Sequence, residues 1–197
     1  MTDAPRRGRR PGSPDTRATI LTEARTLFAA NGYAGTSVRS VASAAGVDAA
    51  LVHHYFGTKR DLFLAALGAP LDPREVLAPV AGGGVAGAGE RLLVTFLAVW
   101  DDEVTRLPLL ALVRGVLEPG GERLVADGLL RLVLGPVGED LGVDEPDRRM
   151  ALVASQLIGL VMARYVLRLE PLASAPSATL VAAYAPTLQR YLEMPLP

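Results

Sequence analysis

Residues 36–59 read TSVRSVASAAGVDAALVHHYFGTK, and this stretch decides the fold. Ser37 has the side chain of a helix N-cap, a hydroxyl free to accept from an orphan backbone N–H. Val38, Val41, Ala42 and Ala45 then set small apolar groups on one helical face. Gly46 suits a sharp turn, since a residue that ends one helix and redirects the chain is best without a Cβ. Asp48 can cap a second helix and place its charge at the positive end. Leu51, Val52, Tyr55 and Phe56 repeat at helical spacing, Gly57 stops that helix, and Thr58 can cap a third opening at Lys59. Ala42 allows a close crossing, Gly46 makes the turn, and Val52 buries the back of the second helix while its front stays open to a DNA groove. A plain αα-hairpin carries the same three features, so the pattern alone leaves both readings open.

The neighbouring residues narrow the choice. Asn31-Gly32-Tyr33, Thr36-Ser37-Val38, Val41-Ala42, Ala45-Gly46-Val47, Tyr55-Phe56-Gly57-Thr58-Lys59 and Leu62-Phe63 together resemble the N-terminal domain of the tetracycline-repressor (TetR) family. The resemblance covers about Asp15 to Leu67. It implies a DNA-binding transcriptional regulator, a ligand-responsive repressor reading an inverted repeat in double-stranded DNA as a homodimer. It also implies roles. Thr36 and Ser37 are expected to contact phosphate, and Arg39 phosphate or a base edge. Ala49 and Ala50 are expected to face base edges, where they can touch thymine methyls. His53, His54 and Tyr55 are expected along the groove wall, and Lys59 on a phosphate. Many family members carry Tyr and His in the opposite order at His54-Tyr55, and other pairs at Ala49-Ala50, so base preference does not carry over.

Composition bounds the remainder. The chain has 197 residues, half of them hydrophobic, which is enough for a real core. It has no cysteine, which excludes disulfides, thiolate zinc sites and cysteine nucleophiles and fits a cytoplasmic location. The arginine-rich N-terminus has no apolar segment of the signal-peptide kind. The net charge of −1 hides a division. Residues 1–60 hold nine Arg/Lys against four Asp/Glu, whereas residues 61–197 hold eleven against seventeen. A basic first third beside an acidic remainder places any polyanion contact in the first part. Within residues 1–12, Arg6, Arg7, Arg9 and Arg10 stand among Pro and Gly. That segment reads either as a disordered arm on DNA or as a solubilising tail.

In chain order, Ser13-Pro14-Asp15 opens a first helix with buried stripe Ile20, Leu21, Ala24, Leu27 and Phe28, ended by Gly32. A connecting helix runs from Lys59 to Gly68. Asp72-Pro73-Arg74-Glu75 starts a brief helix to about Ala81. Ala81 to Gly89, AGGGVAGAG, lacks the Lys-Ser/Thr of a nucleotide loop and reads as a mobile surface connection. Helices are expected over Glu90–Val104, Pro108–Leu117, Glu122–Leu141 with a break at Gly135-Pro136, and Asp147–Leu169. A last helix opens at Ser174–Pro176, with Pro186 kinking or restarting it. No strand pattern is present. The expected architecture is all-α: an arm at 1–12, a three-helix helix-turn-helix domain at 13–58, a connecting helix at 59–69, and a larger helical effector-binding and dimerisation domain at 70–197.

Two further features stand out. Ala151, Ser155, Gly159 and Ala163 recur every four residues, one stripe of small residues that admits a close helix. In the family the last two long helices pair with their symmetry mates. The resemblance therefore puts the stripe at a dimer interface, against the alternative of a tight contact within one subunit. Arg114, Gln156, Arg164 and Tyr165 are polar groups in apolar helices. With Phe96 and Trp100 they line a cavity for a small apolar or amphipathic effector, or they are satisfied by carbonyls and acidic partners. His53 and His54 are adjacent on a helix and diverge, so they share no metal, and no Ser-His-Asp arrangement is visible. No cofactor, metal or enzymatic activity is expected. Met150–Val166 is apolar, but Ser155, Gln156 and Arg164 interrupt it, which reads as a buried helix rather than a membrane span. The competing classes are a helical small-molecule carrier or enzyme with a merely soluble basic end, and a DNA-binding protein without an effector.

Overall fold

A computed structural model describes residues 16–69, 71–114, 116 and 121–196. The arginine arm, the Ser13–Asp15 helix start, Pro70 and the far end of the Pro108–Leu117 helix lie outside the described residues. Within them every regular element is helical.

Helix α1, Thr16–Gly35, buries Ile20, Ala24 and Phe28 completely, one residue per turn on one face. Gly32 ends its regular run, as the sequence indicates. The backbone leaves helical geometry there (φ 70°, ψ 176°) and then makes one further turn. Helices α2 (Val38–Ala44) and α3 (Ala49–Phe56) form the hairpin, with Val41 and Val52 buried between them and α1. Helix α4, Lys59–Leu67, packs Phe63 edge-on to Phe28, with ring centroids 4.8 Å apart, and to Tyr33 at 5.2 Å. Arg25 Nε donates to the Ala66 carbonyl at 2.7 Å, joining α1 to α4. Gly68, in the left-handed region, closes α4.

A second core fills the rest. Helix α6 (Ala88–Asp101) lies along α11 (Ser177–Glu193), while α5 (Pro73–Gly82) and α10 (Pro146–Val161) flank them. The α6–α11 approach is close. A Cβ on Gly89 would sit 2.7 Å from the Gln189 backbone nitrogen and 2.8 Å from the Ala185 carbonyl oxygen. Helix α7 spans Glu103–Arg114, and a bent rod follows: α8 (Gly121–Val125), a π-helical segment Ala126–Leu134, and α9 (Gly135–Asp140). A second π segment, Met162–Val166, finishes α10.

Several expectations shift here, each for a local reason. Helix α7 starts at Glu103 and not at Pro108, because the Asp102 carboxylate accepts the Thr105 N–H at 2.9 Å and acts as the cap. Gly135-Pro136 does not break the rod. Pro136 falls in the first turn of α9, where a missing N–H costs nothing, and the π segment absorbs the change of register. Pro186 lies inside an uninterrupted α11. Ala182, whose carbonyl loses its bond, is exposed and can be hydrated. The glycine-rich connection is pinned and not loose. The Arg91 guanidinium donates to the carbonyls of Val80, Gly84 and Ala86, and Gln189 Nε2 donates to Val85 O at 2.8 Å. Pro146–Val166 is long and apolar enough to cross a membrane by composition, yet Met150, Val153, Leu157 and Leu160 on its inner face belong to the core.

One buried charge has no counterpart in the sequence reading. Arg149 is 2% exposed. Its Nη2 lies 2.6 Å from the Asp144 carboxylate, and its Nη1 donates to Tyr191 O and Met194 O at 2.5 and 2.9 Å. It fastens the start of α10 to the last carbonyls of α11.

Candidate nucleic-acid interface

Each helix of the N-terminal unit after α1 carries its own start. Ser37 Oγ accepts the Ser40 N–H at 3.0 Å, and Ser40 Oγ accepts the Ser37 N–H at 3.0 Å, a reciprocal capping box. Asp48 accepts the Ala50 N–H at 2.7 Å. Thr58 and Asp61 form a second box on α4. Gly46 (φ 66°) makes the turn between α2 and α3.

These caps leave α3 with one buried and one open face. Val52 and Phe56 point into the core, while Ala50, His53, His54 and Tyr55 are exposed. Ala49 is half-buried against the core, so Ala50 stands further out on the open face. His53 Nδ1 is 2.7 Å from Gly57 O. A carbonyl only accepts, so Nδ1 carries the proton, leaving Nε2 clear of that bond. The His54 and Tyr55 rings meet edge-on at 5.6 Å. Ser37 and Arg39 are exposed. Lys59 Nζ lies 4.4 Å above the Tyr33 ring centroid, a cation–π contact between the start of α4 and the end of α1.

Thr36 requires a correction. It is 2% exposed, and its hydroxyl lies 3.0 Å from both Leu27 O and Gly32 O. The side chain donates back to the end of α1 and is not presented to a phosphate.

The Asp61 carboxylate accepts from the Thr58 hydroxyl at 2.7 Å and from its N–H at 3.0 Å, and these two bonds hold its pKa below the usual carboxylate range. An unfolded Asp61 binds a proton more readily, so stability rises with pH across that gap. The contribution is complete above the ordinary carboxylate pKa and is lost as pH falls through the lowered one. Asp61→Asn is expected to flatten this acid limb. The check is the urea midpoint from about pH 6 down to about pH 3; wild type and variant declining in parallel would be the contrary result.

In the C-terminal region the structure gathers part of the expected effector set. Phe96 and Trp100 stand 5.9 Å apart, and Trp100 stacks on Tyr165 at 5.2 Å. Arg164 pairs with Asp101 at 3.2 Å and donates to Leu172 O and Ala175 O at 2.8 and 2.7 Å. Tyr165 donates to Asp101 at 2.9 Å, and Ser177 donates to it as well. Burial works to raise the Asp101 pKa, but the bonds from Ser177, Tyr165 and Arg164 outweigh it and hold it low. Burial, then the bond to Asp101, pushes the Tyr165 hydroxyl well above the ordinary phenol value. These groups are mutually satisfied and form a joint between α6, α10 and α11. Arg114 is exposed at the end of α7, and Gln156 is half-buried on α10.

A groove of about 780 Å³ lies between α6 and α11, with apolar walls from Val94, Leu97, Ala98, Val181 and Ala185 and polar Glu90, Asp101 and Gln189. None of the six expected pocket residues lines it. On α10, Ala151, Ser155 and Gly159 are exposed and Ala163 is half-buried, and a Cβ on Gly159 would meet no atom within 4 Å. The stripe therefore makes no tight contact at Gly159 within the subunit. Among the described residues no three acidic or histidine side chains converge as a metal site.

Two family models match the chain. A family model described as bacterial regulatory proteins, tetR family, matches residues 20–66. A second, described as tetracyclin repressor-like, C-terminal domain, matches residues 86–192, more than half of the chain. The chain belongs to the TetR family. A solved TetR-family regulator from Streptomyces coelicolor A3 is 40% identical over 94% of this chain and 98% of its own, with a TM-score of 0.48. A transcriptional regulator from Rhodococcus sp. Rha1 is 26% identical over 92% and 99%, with a TM-score of 0.45. The HTH-type transcriptional repressor AcnR of Corynebacterium glutamicum is 43% identical over 51 residues, 26% of this chain and 27% of that protein.

This TetR-family chain is thus a DNA-binding transcriptional regulator, with α2 and α3 as its helix-turn-helix. The family's N-terminal match covers α2, α3 and most of α1 and α4. The C-terminal match runs from the glycine-rich connection through nearly all of α11.

Proposed function

We infer that this regulator is a ligand-responsive repressor that binds an inverted repeat as a homodimer in the cytoplasm. The observation that carries the reading is the open face of α3, Ala50, His53 and His54, together with exposed Ser37 and Arg39 at the start of α2 and Lys59 at the start of α4. In it, Ser37, Arg39 and Lys59 hold phosphates, while Ala50 and the two histidines meet base edges and the groove wall. Dimerisation through the outward Ala151, Ser155 and Gly159 row supplies the second reading head that a two-fold operator needs. The effector is a small apolar or amphipathic molecule, and the groove between α6 and α11 has the walls for it. The satisfied Asp101–Arg164–Tyr165 joint favours a second reading, a DNA-binding protein whose C-terminal domain only dimerises. Nothing favours a carrier or an enzyme.

Selection from genomic fragments tests the proposal. An inverted repeat with half-sites about 34–36 Å apart is expected; selected fragments without a symmetric motif would sink the repressor reading. Arg39→Ala and Lys59→Ala should each weaken binding, and Lys59→Ala should do so about equally for all sequences. A lost phosphate contact lowers the salt slope by about 1.

A further inference from the structure

The break in α1 is not left to itself. Where Gly32 departs from helical geometry, the intrahelical ladder stops and strands carbonyls before it and an N–H after it. One of those carbonyls and the N–H are met from the C-terminal region. Arg123 Nη1 donates to Ala30 O at 2.8 Å, and the Tyr33 N–H donates to Asp127 Oδ2 at 2.5 Å. Arg123 and Asp127 are four residues apart along one helical rod, so they share a face. Their signs match what they meet: a cation on the carbonyl end of one helical piece, an anion on the amide end of the next.

The fit around Asp127 is close. Its other oxygen is held by Arg131 Nε at 3.1 Å, and its side chain is 15% exposed. A Cβ on Gly32 would come within 2.9 Å of Asp127 Oδ2, at a φ that already disfavours any other residue. Beside it, a Cβ on Gly128 would lie 2.8 Å from Leu67 Cδ1. The turn that Asp127 caps runs straight into the DNA-reading unit, since Thr36 closes onto Gly32 O and Ser37 starts α2.

The geometry points to Asp127 as a positioning residue for DNA reading: from the C-terminal domain it caps the Tyr33 turn and thereby fixes where α2 and α3 stand. It touches no DNA and acts through Tyr33 and Gly32. Asp127 is the second residue of the π-helical segment, where a shift of hydrogen-bond register would swing its carboxylate off the Tyr33 N–H. The inference rests on the DNA-binding role of α2 and α3, and not on any effector.

The test uses the full chain as wild type, Asp127→Ala and Asp127→Asn. Two quantities are read: amide hydrogen exchange at Tyr33, and affinity at fixed salt for the selected operator and for a random-sequence duplex of equal length. Loss of a charge-assisted cap should speed Tyr33 exchange about tenfold or more in Asp127→Ala and weaken operator binding about tenfold. The random duplex, held by charge alone, should change by no more than about twofold. Asp127→Asn keeps an acceptor and should restore both readouts. Unchanged Tyr33 exchange in Asp127→Ala overturns the proposal. Faster exchange with unaltered operator affinity overturns it too, as does an Asn variant that behaves like Ala. If Asp127→Ala does not fold, exposed Arg123→Ala carries the test, with an operator-selective loss expected and an unchanged operator-to-random ratio as the contrary result. Failure to find any operator leaves the exchange readout intact, so the two failures are told apart.

Discussion

Arg149→Ala should lower the free energy of unfolding by about 3–5 kcal/mol, among the largest losses a single substitution gives. The guanidinium is buried, and it satisfies Asp144 at one end and Tyr191 O and Met194 O at the other. Asp144 itself is 75% exposed, so water can take over its charge once Arg149 is gone. The cost then falls on the two stranded carbonyls at the end of α11 and on the cavity left behind. Arg149→Met fills that volume without donors and should lose less. Arg149→Lys should sit between wild type and Ala, because one ammonium cannot span both groups. Urea unfolding of the three variants checks the order. A loss under about 1 kcal/mol for Ala would mean that the carbonyls find other donors.

Gly159→Trp should leave the subunit folded and abolish operator binding. Gly159 is exposed and nothing lies within 4 Å of a Cβ there, so a larger side chain leaves the backbone without striking its own chain. In the proposed dimer it stands where two helices touch, and overpacking of that kind costs about 1–3 kcal/mol or more per contact. A two-fold interface repeats the insult on both sides. Monomers then meet single half-sites, and affinity falls towards the non-specific level, a loss of about 10³-fold or more. Light scattering and operator titration report the two effects, with thermal unfolding as the control for folding. A variant that stays dimeric moves the interface elsewhere. Gly89 provides the contrast: its missing Cβ would strike the backbone of α11, so bulk there damages the fold itself.

The reading head was legible because its signals are local. Ser37, Asp48 and Thr58 each bond to a backbone N–H two or three residues on, and Gly46 and Gly57 sit at positive φ, all within sight of a short window. Thr36 was misjudged for the opposite reason. Its hydroxyl is taken by Leu27 O, nine residues back across a kink that the sequence does not announce. Arg149 and Asp127 depend on partners 42 and 94 residues away, and no spacing rule reaches so far. Arg164 and Tyr165 had a polar role that the sequence could sense, but Asp101, 63 residues earlier, decides that they brace one another. The helix starts at Glu103 and Pro146 differ from each other. Asp102 caps the helix at Glu103 although the sequence reading ran a helix through it to Val104, whereas Glu145 before Pro146 makes no side-chain cap at all.

That contrast in helix starts sets an order of events for a chain emerging from the ribosome. Helices α2, α3 and α4 close their own ends with side chains only a few residues off, so their stabilising bonds exist as soon as those residues are out. Helices α6, α10 and α11 begin without a side-chain cap. Helix α6 gains its seat only when Gly89 can donate to Gln189, 100 positions later in the chain. Contacts so distant in sequence form slowly, and domains whose contacts are near form first. The DNA-reading unit is therefore assembled while Leu93 and Leu97 of α6 still wait, unshielded, for α11 to cover them.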